Sequence, residues 1–186
     1  MAKQLAAAAA ILAVAAIGWL LLGDRTSVDV TVVFDAQPVR CDGTTIRLDE
    51  QDDGFRQHIV ELRPEMDCRL RFFVANNGSD SITVERIEFP FLGPDAGSGA
   101  LAHALNPTYN SADPVAPALD AGWIVNDVVE AQQRIFYEAF VVHDPNDCQS
   151  AGVLSFDFPV VTLADGTALD EPPRVVGFAG VGFNDC

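Results

Sequence analysis

The chain contains few basic residues. It has 11 lysine and arginine residues against 27 acidic ones, a formal net charge of −16, and Lys3 is the only lysine. Nucleic-acid binding depends on clustered basic side chains that neutralise phosphates, so this composition excludes DNA and RNA as partners. With 186 residues, 49% of them hydrophobic, the chain is long enough for one buried core and too short for two.

Short motifs of catalysis and metal binding are also absent. No Cys-x-x-Cys pair occurs, although zinc sites usually contain one. Gly97-Ser98-Gly99 lacks the wider Gly-x-Ser-x-Gly frame of a nucleophile elbow. His58, His103 and His143 are far apart, and none has helical spacing to another. These absences favour a protein without a cofactor and without catalysis, with a hydrolytic enzyme of unrecognised site as an alternative.

The N-terminus contains an uninterrupted apolar segment. Residues 5–22 carry no charged or polar side chain and reach the lower end of bilayer-spanning length. Lys3 precedes the segment, while Asp24 and Arg25 cancel after it, which predicts a cytoplasmic N-terminus. We interpret residues 1–25 as a transmembrane signal-anchor and 26–186 as an extracytoplasmic domain. Secretion after cleavage at 13–15 is the alternative.

The four cysteines are Cys41, Cys68, Cys148 and Cys186, all in the part that this topology places outside the cytoplasm, where disulfides persist. Four cysteines allow three pairings. We favour Cys41 with Cys68 and Cys148 with Cys186, because each pair joins neighbouring segments through a moderate loop. In the chain-entropy model, loops of this size each stabilise the folded state by about 3–4 kcal/mol.

Beyond the apolar segment the hydrophobic period is that of β-strands. Apolar and polar residues alternate along 28–35, 69–74 and 154–160, which predicts half-buried strands. Segments 135–142 and 175–183 are apolar on both faces, which predicts strands in the centre of a sheet.

Turn signals separate these strands. Asp42-Gly43, Asp53-Gly54, Asn77-Gly78 and Asp165-Gly166 accept the positive φ angles of tight hairpins, which implies antiparallel neighbours. The apolar phase slips by one residue near Glu85-Arg86, which indicates a β-bulge.

The fold class that follows is all-β. No amphipathic helix of three turns follows the apolar segment, and only 98–105 and 127–133 are candidates for single helical turns. The run 71–84, a strand followed by Asn76-Asn77-Gly78 and a second strand, resembles a hairpin of bacterial immunoglobulin-like and cell-adhesion-related surface domains, and 128–140 is similar to a later strand entry of such domains. The resemblance implies a two-sheet antiparallel sandwich and no functional residues.

A long segment at about 93–122 interrupts this pattern. It is rich in Ala, Gly, Pro, Asn and Asp, has no sustained strand or helix period, and exceeds ordinary loop lengths. Leu101, Leu105 and Tyr109 recur at every fourth position, and Trp123 follows the segment. We interpret these four residues as possible anchors of a binding loop on a rigid domain.

The acidic stretch 49–54 invites a comparison with calcium loops. Asp49, Asp52 and Asp53 are weak candidates for cation ligands, since Val60 stands where an EF-hand needs its bidentate glutamate. The function predicted first is a membrane-anchored, non-catalytic binding module for another envelope protein or a cell-wall component. A cation- or small-ligand-binding domain that uses the acidic loops is the main alternative.

Overall fold

The computed structural model describes residues 29–50, 56–106, 109–110, 120–144, 153–155, 159–169 and 175–180. These residues form strands, turns and loops, and none of them is helical. The all-β prediction is therefore confirmed for this part of the chain. The same part contains no helix of bilayer-spanning length and hydropathy, and the predicted anchor, residues 1–25, lies outside it.

Thirteen strands are present in the described residues. In chain order they are β1 Val30–Asp42, β2 Ile46–Glu50, β3 Arg56–Glu61, β4 Asp67–Asn76, β5 Ile82–Phe89, β6 Ala100–Leu105, β7 Tyr109–Asn110, β8 Ala121–Val129, β9 Arg134–His143, β10 Val153–Ser155, β11 Val160–Leu163, β12 Ala168–Leu169 and β13 Val176–Ala179.

The strands form three hydrogen-bonded sheets. The first sheet has the order β1-β4-β9-β6-β7, the second β12-β11-β5-β8 and the third β10-β13-β3-β2. All pairs are antiparallel except β13 with β3, which is parallel. The central positions predicted for 135–142 and 175–183 are confirmed where described, because β9 and β13 each have a strand on both sides. The two-sheet prediction did not anticipate the third sheet.

The first and second sheets contact each other through aromatic rings. Phe72 of the first sheet stacks on Tyr137 at 5.5 Å between centroids and meets the edge of Phe89 in the second sheet at 5.9 Å. Phe89 in turn contacts Trp123 at 5.8 Å. The Tyr137 hydroxyl donates to Asp127 Oδ2 at 2.8 Å and so joins β9 to β8. Each buried ring contributes about 1.5–3 kcal/mol through apolar area removed from water.

The Asn77-Gly78 dipeptide does not form a hairpin. It connects β4 in the first sheet to β5 in the second, so the hairpin prediction and its antiparallel pairing are wrong here. The cause is Asn76, whose buried amide donates to the backbone carbonyls of Asp80 at 2.8 Å, Val129 at 3.0 Å and Glu130 at 3.2 Å. These bonds hold the crossing of the chain between the two sheets.

The other turn signals have mixed outcomes. Asp165-Gly166 closes the β11–β12 hairpin with Gly166 at φ 83°, as predicted. Gly43 has a φ of 72°, but it leads from the first sheet into the third. A Cβ at Gly43 would lie 2.2 Å from the Glu65 carbonyl oxygen, so the close approach as well as the φ angle requires glycine. Asp53-Gly54 lies outside the described residues.

The predicted bulge near Glu85-Arg86 is confirmed. The register shifts between Val84 and Arg86 against β8 and against β11. Asn126, on the β8 side of the shift, has a φ of 53°, a left-handed conformation that asparagine tolerates.

Neither predicted helical turn forms. Residues 100–105 are β6, and 127–133 comprise the end of β8 and a tight turn with Gln132 at φ 59°. In both segments the hydrogen bonds to β9 or β5 override a weak helical pattern, since tertiary pairing outweighs local propensity.

One predicted disulfide is present. Cys41 and Cys68 stand opposite each other on β1 and β4 and are bonded, with a sequence separation of 27 residues. Cys68 is buried, so the bridge also belongs to the hydrophobic core. Cys148 and Cys186 lie outside the described residues, and their pairing stays a prediction.

Candidate binding face

Two of the four residues predicted to anchor a binding loop are core residues. Leu105 is fully buried in β6 and Trp123 is 2% exposed in β8, while Leu101 is half-buried. Tyr109 pairs with Leu105 through the backbone. The segment 93–122, interpreted as a long insertion without a sustained strand period, contains β6, β7 and the first two residues of β8. His103 is an extra residue in the pairing of β6 with β9, and this irregularity breaks the period of two.

The residues considered for catalysis or metal binding are dispersed. Asp49 lies half-buried in β2, and Asp52 and Asp53 are outside the described residues. The described part of the chain holds no group of three or more side chains that could bind a metal ion. The Ser98 hydroxyl is buried and donates to the Ala100 carbonyl at 2.8 Å, so it serves its own loop.

The three histidines occupy separate strands. His58 lies in β3 of the third sheet, whereas His103 in β6 and His143 in β9 belong to the first. The His103 ring lies 6.3 Å from the ring of Phe140, which is an apolar contact.

A polar depression of about 290 Å³ lies where β4 leaves the first sheet. It is lined by Asn76, the β4–β5 connection and the β11–β12 turn, with Asp29, Asp80 and Asp165 among its residues. The backbone N–H of Thr167 donates to Asp165 Oδ1 at 2.8 Å, and this bond, aided by the Thr167 hydroxyl, lowers the pKa of Asp165 below its ordinary value. Both side chains that bond here have structural roles: Asn76 holds the crossing of the chain between the sheets, and Thr167 holds the β11–β12 turn.

The outer face of the first sheet has a different composition. Side chains alternate across a strand, so the neighbours of the buried Phe72 and Tyr137 point away from the core. We name this surface the arginine–phenylalanine face. It consists of Arg69, Arg71 and Phe73 on β4 and Arg134, Phe136, Glu138 and Phe140 on β9. Three of the eleven basic residues of the chain thus lie on two adjacent strands.

Each arginine of this face lies over a phenylalanine ring. The guanidinium carbon of Arg134 is 4.7 Å from the centroid of Phe73, and that of Arg71 is 5.1 Å from Phe136. Arg69 lies 5.5 Å from Phe140. Such contacts contribute about 0.5–1 kcal/mol each at exposed sites. They also restrict the arginine side chains, so less conformational entropy is lost when a ligand binds them.

Two of the arginines have carboxylate partners. Arg71 Nη1 lies 2.8 Å from Asp35 Oδ2, and its Nε lies 3.4 Å from Glu138 Oε2, an ion-pair distance without good hydrogen-bond geometry. Arg69 Nη1 is 3.9 Å from Glu138 Oε1. Asp35 reaches Arg71 because β1 bulges outward, with four residues, Asp35 to Pro38, opposite one residue of β4. Pro38 has no N–H for the ladder at this point.

A depression of about 290 Å³ borders this face beside the bulge of β1. Its walls are Val33, Phe34, Asp35 and Ala36 of β1, Phe73 and Ala75 of β4, and Arg134 of β9. Val33 is 49% exposed, so an apolar floor is open to solvent at the margin of the sheet. Exposed apolar surface rimmed by polar groups is typical of interaction sites.

The sequence contained a signal for this face that its interpretation missed. The second apolar side of 135–142 indicates burial in the centre of a sheet, whereas Phe136 and Phe140 on that side are only half-buried. The alternation of Arg69 and Arg71 with apolar residues predicts only a half-buried strand. Taken together, arginine and phenylalanine at cross-strand positions indicate contacts that neither strand shows alone.

The chain matches no protein-family model, and no curated protein or solved structure shows significant similarity to it. The function is therefore inferred from the geometry of the described residues.

Proposed function

We propose that this protein is a membrane-anchored, extracytoplasmic binding module without catalytic activity, which docks another envelope protein or a cell-wall component on its arginine–phenylalanine face. In this proposal residues 1–25 are the anchor, and the first and second sheets form an immunoglobulin-like sandwich that presents the face. The observation that carries the proposal is the set of three arginines stacked on three half-buried phenylalanines in a chain of net charge −16.

The composition of the face supports a docking role. Interfaces are enriched in arginine and aromatic residues, which bury large areas and lose little side-chain freedom when they are already held in place. A solvated sheet face needs no phenylalanine for stability. Phe73, Phe136 and Phe140 therefore have a clearer use in recognition than in folding.

The location also has support. The Cys41–Cys68 bridge fits an oxidising compartment, because cytosolic thiols are kept reduced. The apolar segment 5–22 supports anchoring at the membrane. A tethered domain meets partners at a high effective concentration, so a modest face is sufficient for binding.

The test is site-specific photo-crosslinking of the full chain in its native envelope. A photoreactive phenylalanine replaces Phe140 on the face or, as a matched control, Ile124, which is 43% exposed on the outer side of the second sheet. We expect one discrete adduct from position 140 and none from 124. The adduct should disappear in an Arg69→Gln, Arg71→Gln double variant that stays folded, with its free energy of unfolding lowered by no more than about 2 kcal/mol.

Equal crosslinking from both positions would contradict the proposal, since it would show nonspecific proximity. Loss of the adduct only in variants that also unfold would contradict it as well, because folding and not the face would then be responsible.

A further inference from the structure

The turn between β4 and β5 contains an acceptor triplet for N-linked glycans. Asn77-Gly78-Ser79 has the form Asn-x-Ser, with a residue other than proline in the middle. Among the other asparagines of the sequence, only Asn106 has a serine or threonine two positions later, and Pro107 in the middle of that triplet excludes it. The sequence therefore offers a single acceptor triplet of this type.

The side chains of this triplet are open to solvent. Asn77 and Ser79 are both exposed. In the described part of the chain the Asn77 amide makes one side-chain contact, 3.4 Å from its Nδ2 to the exposed Thr31 hydroxyl. The Ser79 hydroxyl lies 3.4 Å from the Asp80 carboxylate. Both contacts are long and exposed, so a sugar attached to Asn77 Nδ2 would leave no buried polar group unsatisfied.

The turn is held in place without the Asn77 side chain. The backbone N–H of Asn77 donates to the Asp29 carbonyl at 2.8 Å, and Gln132 Nε2 donates to the Gly78 carbonyl at 3.0 Å. The Oδ1 of Asn76 accepts from the Gly78 N–H at 3.0 Å. Asn77 does not have the positive φ angle at which asparagine is favoured. Folding therefore does not explain why residue 77 is an asparagine.

Asn106 shows the contrasting case of an asparagine that the fold uses. It has a φ of 54°, and its Oδ1 accepts from the Glu138 N–H at 2.7 Å. Its own N–H donates to the Glu138 carbonyl at 2.7 Å. Asn76 is likewise committed, through the bonds that hold the crossing of the chain. The asparagine of the acceptor triplet is thus the one whose amide remains accessible.

The position of Asn77 is compatible with the proposed docking. Asp29, which accepts the Asn77 N–H bond, follows the proposed anchor by four residues in sequence. In the proposed topology the turn therefore lies at the membrane-proximal end of the domain. Phe140 is opposite Arg69, seven residues along β4 from Asn76, which is about 23 Å at about 3.3 Å per residue. A glycan at this turn would leave that part of the arginine–phenylalanine face free.

We infer that Asn77 is a glycosylation site that accepts an oligosaccharide from a polyprenyl-phosphate-linked donor. The new bond joins Asn77 Nδ2 to the anomeric carbon of the first sugar. The bond from that carbon to the phosphate oxygen of the donor breaks, the phosphate leaves with the electron pair, and one amide proton is released. The inference rests on the extracytoplasmic location in the proposed function, because such transfer takes place on that side of the membrane.

The test is mass spectrometry of the full chain purified from its native envelope. Trypsin cleaves after Arg71 and Arg86 and so releases residues 72–86, the peptide that contains both Asn76 and Asn77. We expect this peptide to carry an added mass equal to whole sugar residues. Fragmentation should place the sugar on Asn77 and leave Asn76 unmodified, and Asn106 should be unmodified in its own peptide.

Substitutions in the turn separate the acceptor triplet from its surroundings. Asn77→Gln and Ser79→Ala should each lose the sugar completely, whereas Ser79→Thr should retain it. The matched control is Asp80→Ala, next to the triplet, which should also retain the sugar, since Asp80 serves the Asn76 amide through its backbone carbonyl. All three positions are exposed, so each variant should fold.

An unmodified or merely deamidated Asn77 in the native envelope would overturn the inference. A sugar on Ser79 or Ser81 instead, or one that persists in Asn77→Gln, would overturn it as well. The docking proposal fails separately. An unmodified protein that still gives the Phe140 adduct removes the glycan alone, whereas a glycosylated protein without the adduct removes the docking role alone.

Discussion

The outer faces of the first and second sheets have the same architecture and different chemistry. On the second sheet the outward residues of β5, β8 and β11 include no aromatic ring, and the one arginine among them, Arg86, pairs with Glu88 of its own strand at 3.4 Å. Its exposed apolar residues are the isolated Ile124 and Val128. The arginine–phenylalanine face instead joins rings and guanidinium groups across two strands.

This difference separates what folding requires from what it does not. The two sheets share one core, in which Phe72 and Phe89 meet. The second sheet packs on that core with an outer face of small, charged and aliphatic residues, so stacked phenylalanines outside are not a condition of this fold. In the proposed function, a binding role explains these additional rings.

The largest difference in stability is expected between substitutions on the two sides of β4. Phe72→Ala removes a ring that is buried between the sheets, and we expect the free energy of unfolding to fall by about 3–5 kcal/mol. Phe73→Ala, the next residue, faces outward and should cost about 1 kcal/mol, mainly through the lost Arg134 contact. Urea unfolding of the oxidised protein measures both changes. Similar losses would show that Phe73 is a core residue and would break the comparison.

A smaller effect is expected at the crossing between the sheets. Asn76→Ala removes the amide that donates to the carbonyls of Val129 and Glu130, and we expect the free energy of unfolding to fall by about 1–3 kcal/mol. The matched variant is Asn77→Ala, whose exposed side chain should contribute less than about 0.5 kcal/mol. A larger loss of stability from Asn77→Ala would show that the crossing depends on the turn geometry of Asn77-Gly78 and not on the Asn76 amide.

Removing an ion pair from the first or the second sheet should change the stability by less than the Asn76 substitution does. Arg71→Gln leaves Asp35 and Glu138 without their shared partner, and these side chains are no more than 26% exposed, so a loss of about 0.5–1.5 kcal/mol is expected. Arg86→Gln on the second sheet should stay within about 0.5 kcal/mol. Thermal unfolding measures both variants at low salt and at about 1 M salt, where the screening length is about 3 Å. The difference between their stability losses should be smaller at high salt. A difference that salt does not change would indicate packing by the arginine stem.

The smallest effect concerns the turn that closes the edge of the second sheet. The Thr167 N–H lowers the pKa of Asp165, so the ionised form stabilises the folded state above the unfolded pKa of about 3.9. That contribution is lost as the pH falls through the lower, folded pKa. At pH 6 the unfolding midpoint of the wild type should therefore be higher than that of Asp165→Asn. The difference between the two midpoints should disappear below about pH 4. A gap that widens on acidification would show that the sign of the coupling is wrong.

Local patterns predicted strands well and sheets poorly. The alternation of β1 and β4, the doubly apolar β9 and the phase slip at Glu85 depend on neighbours in sequence, and each is present in the fold. Sheet membership depends on distant partners. The Asn76 amide sends the chain across to another sheet through carbonyls more than 50 residues away, and no local pattern encodes that.

The candidate face could not be predicted for a related reason. An outward phenylalanine on a central strand looks like a core residue in sequence, because the arginine that covers it comes from the neighbouring strand. Leu105 shows the reverse error, because its sequence context predicts a loop residue and the structure buries it in β6. The extra residue His103 breaks the strand period and conceals this strand in the sequence. The Cys41–Cys68 pairing could be predicted from the sequence, because the two cysteines close a moderate loop of 27 residues.

The bridge between Cys41 and Cys68 has a mechanical consequence. β1 runs antiparallel to β4 from Val30, opposite Asn76, to Asp42, opposite Asp67, so the bridge lies at the far end from where the chain enters the domain. A pull on the chain ahead of Val30, resisted by a partner held on β4 and β9, would load this ladder lengthwise, and its hydrogen bonds would resist together. If they rupture, only the part of β1 before Cys41 can extend. Under tension the oxidised domain would unfold only locally, because the bridge keeps β1 and β4 covalently linked. A reduced domain would lack this limit on extension.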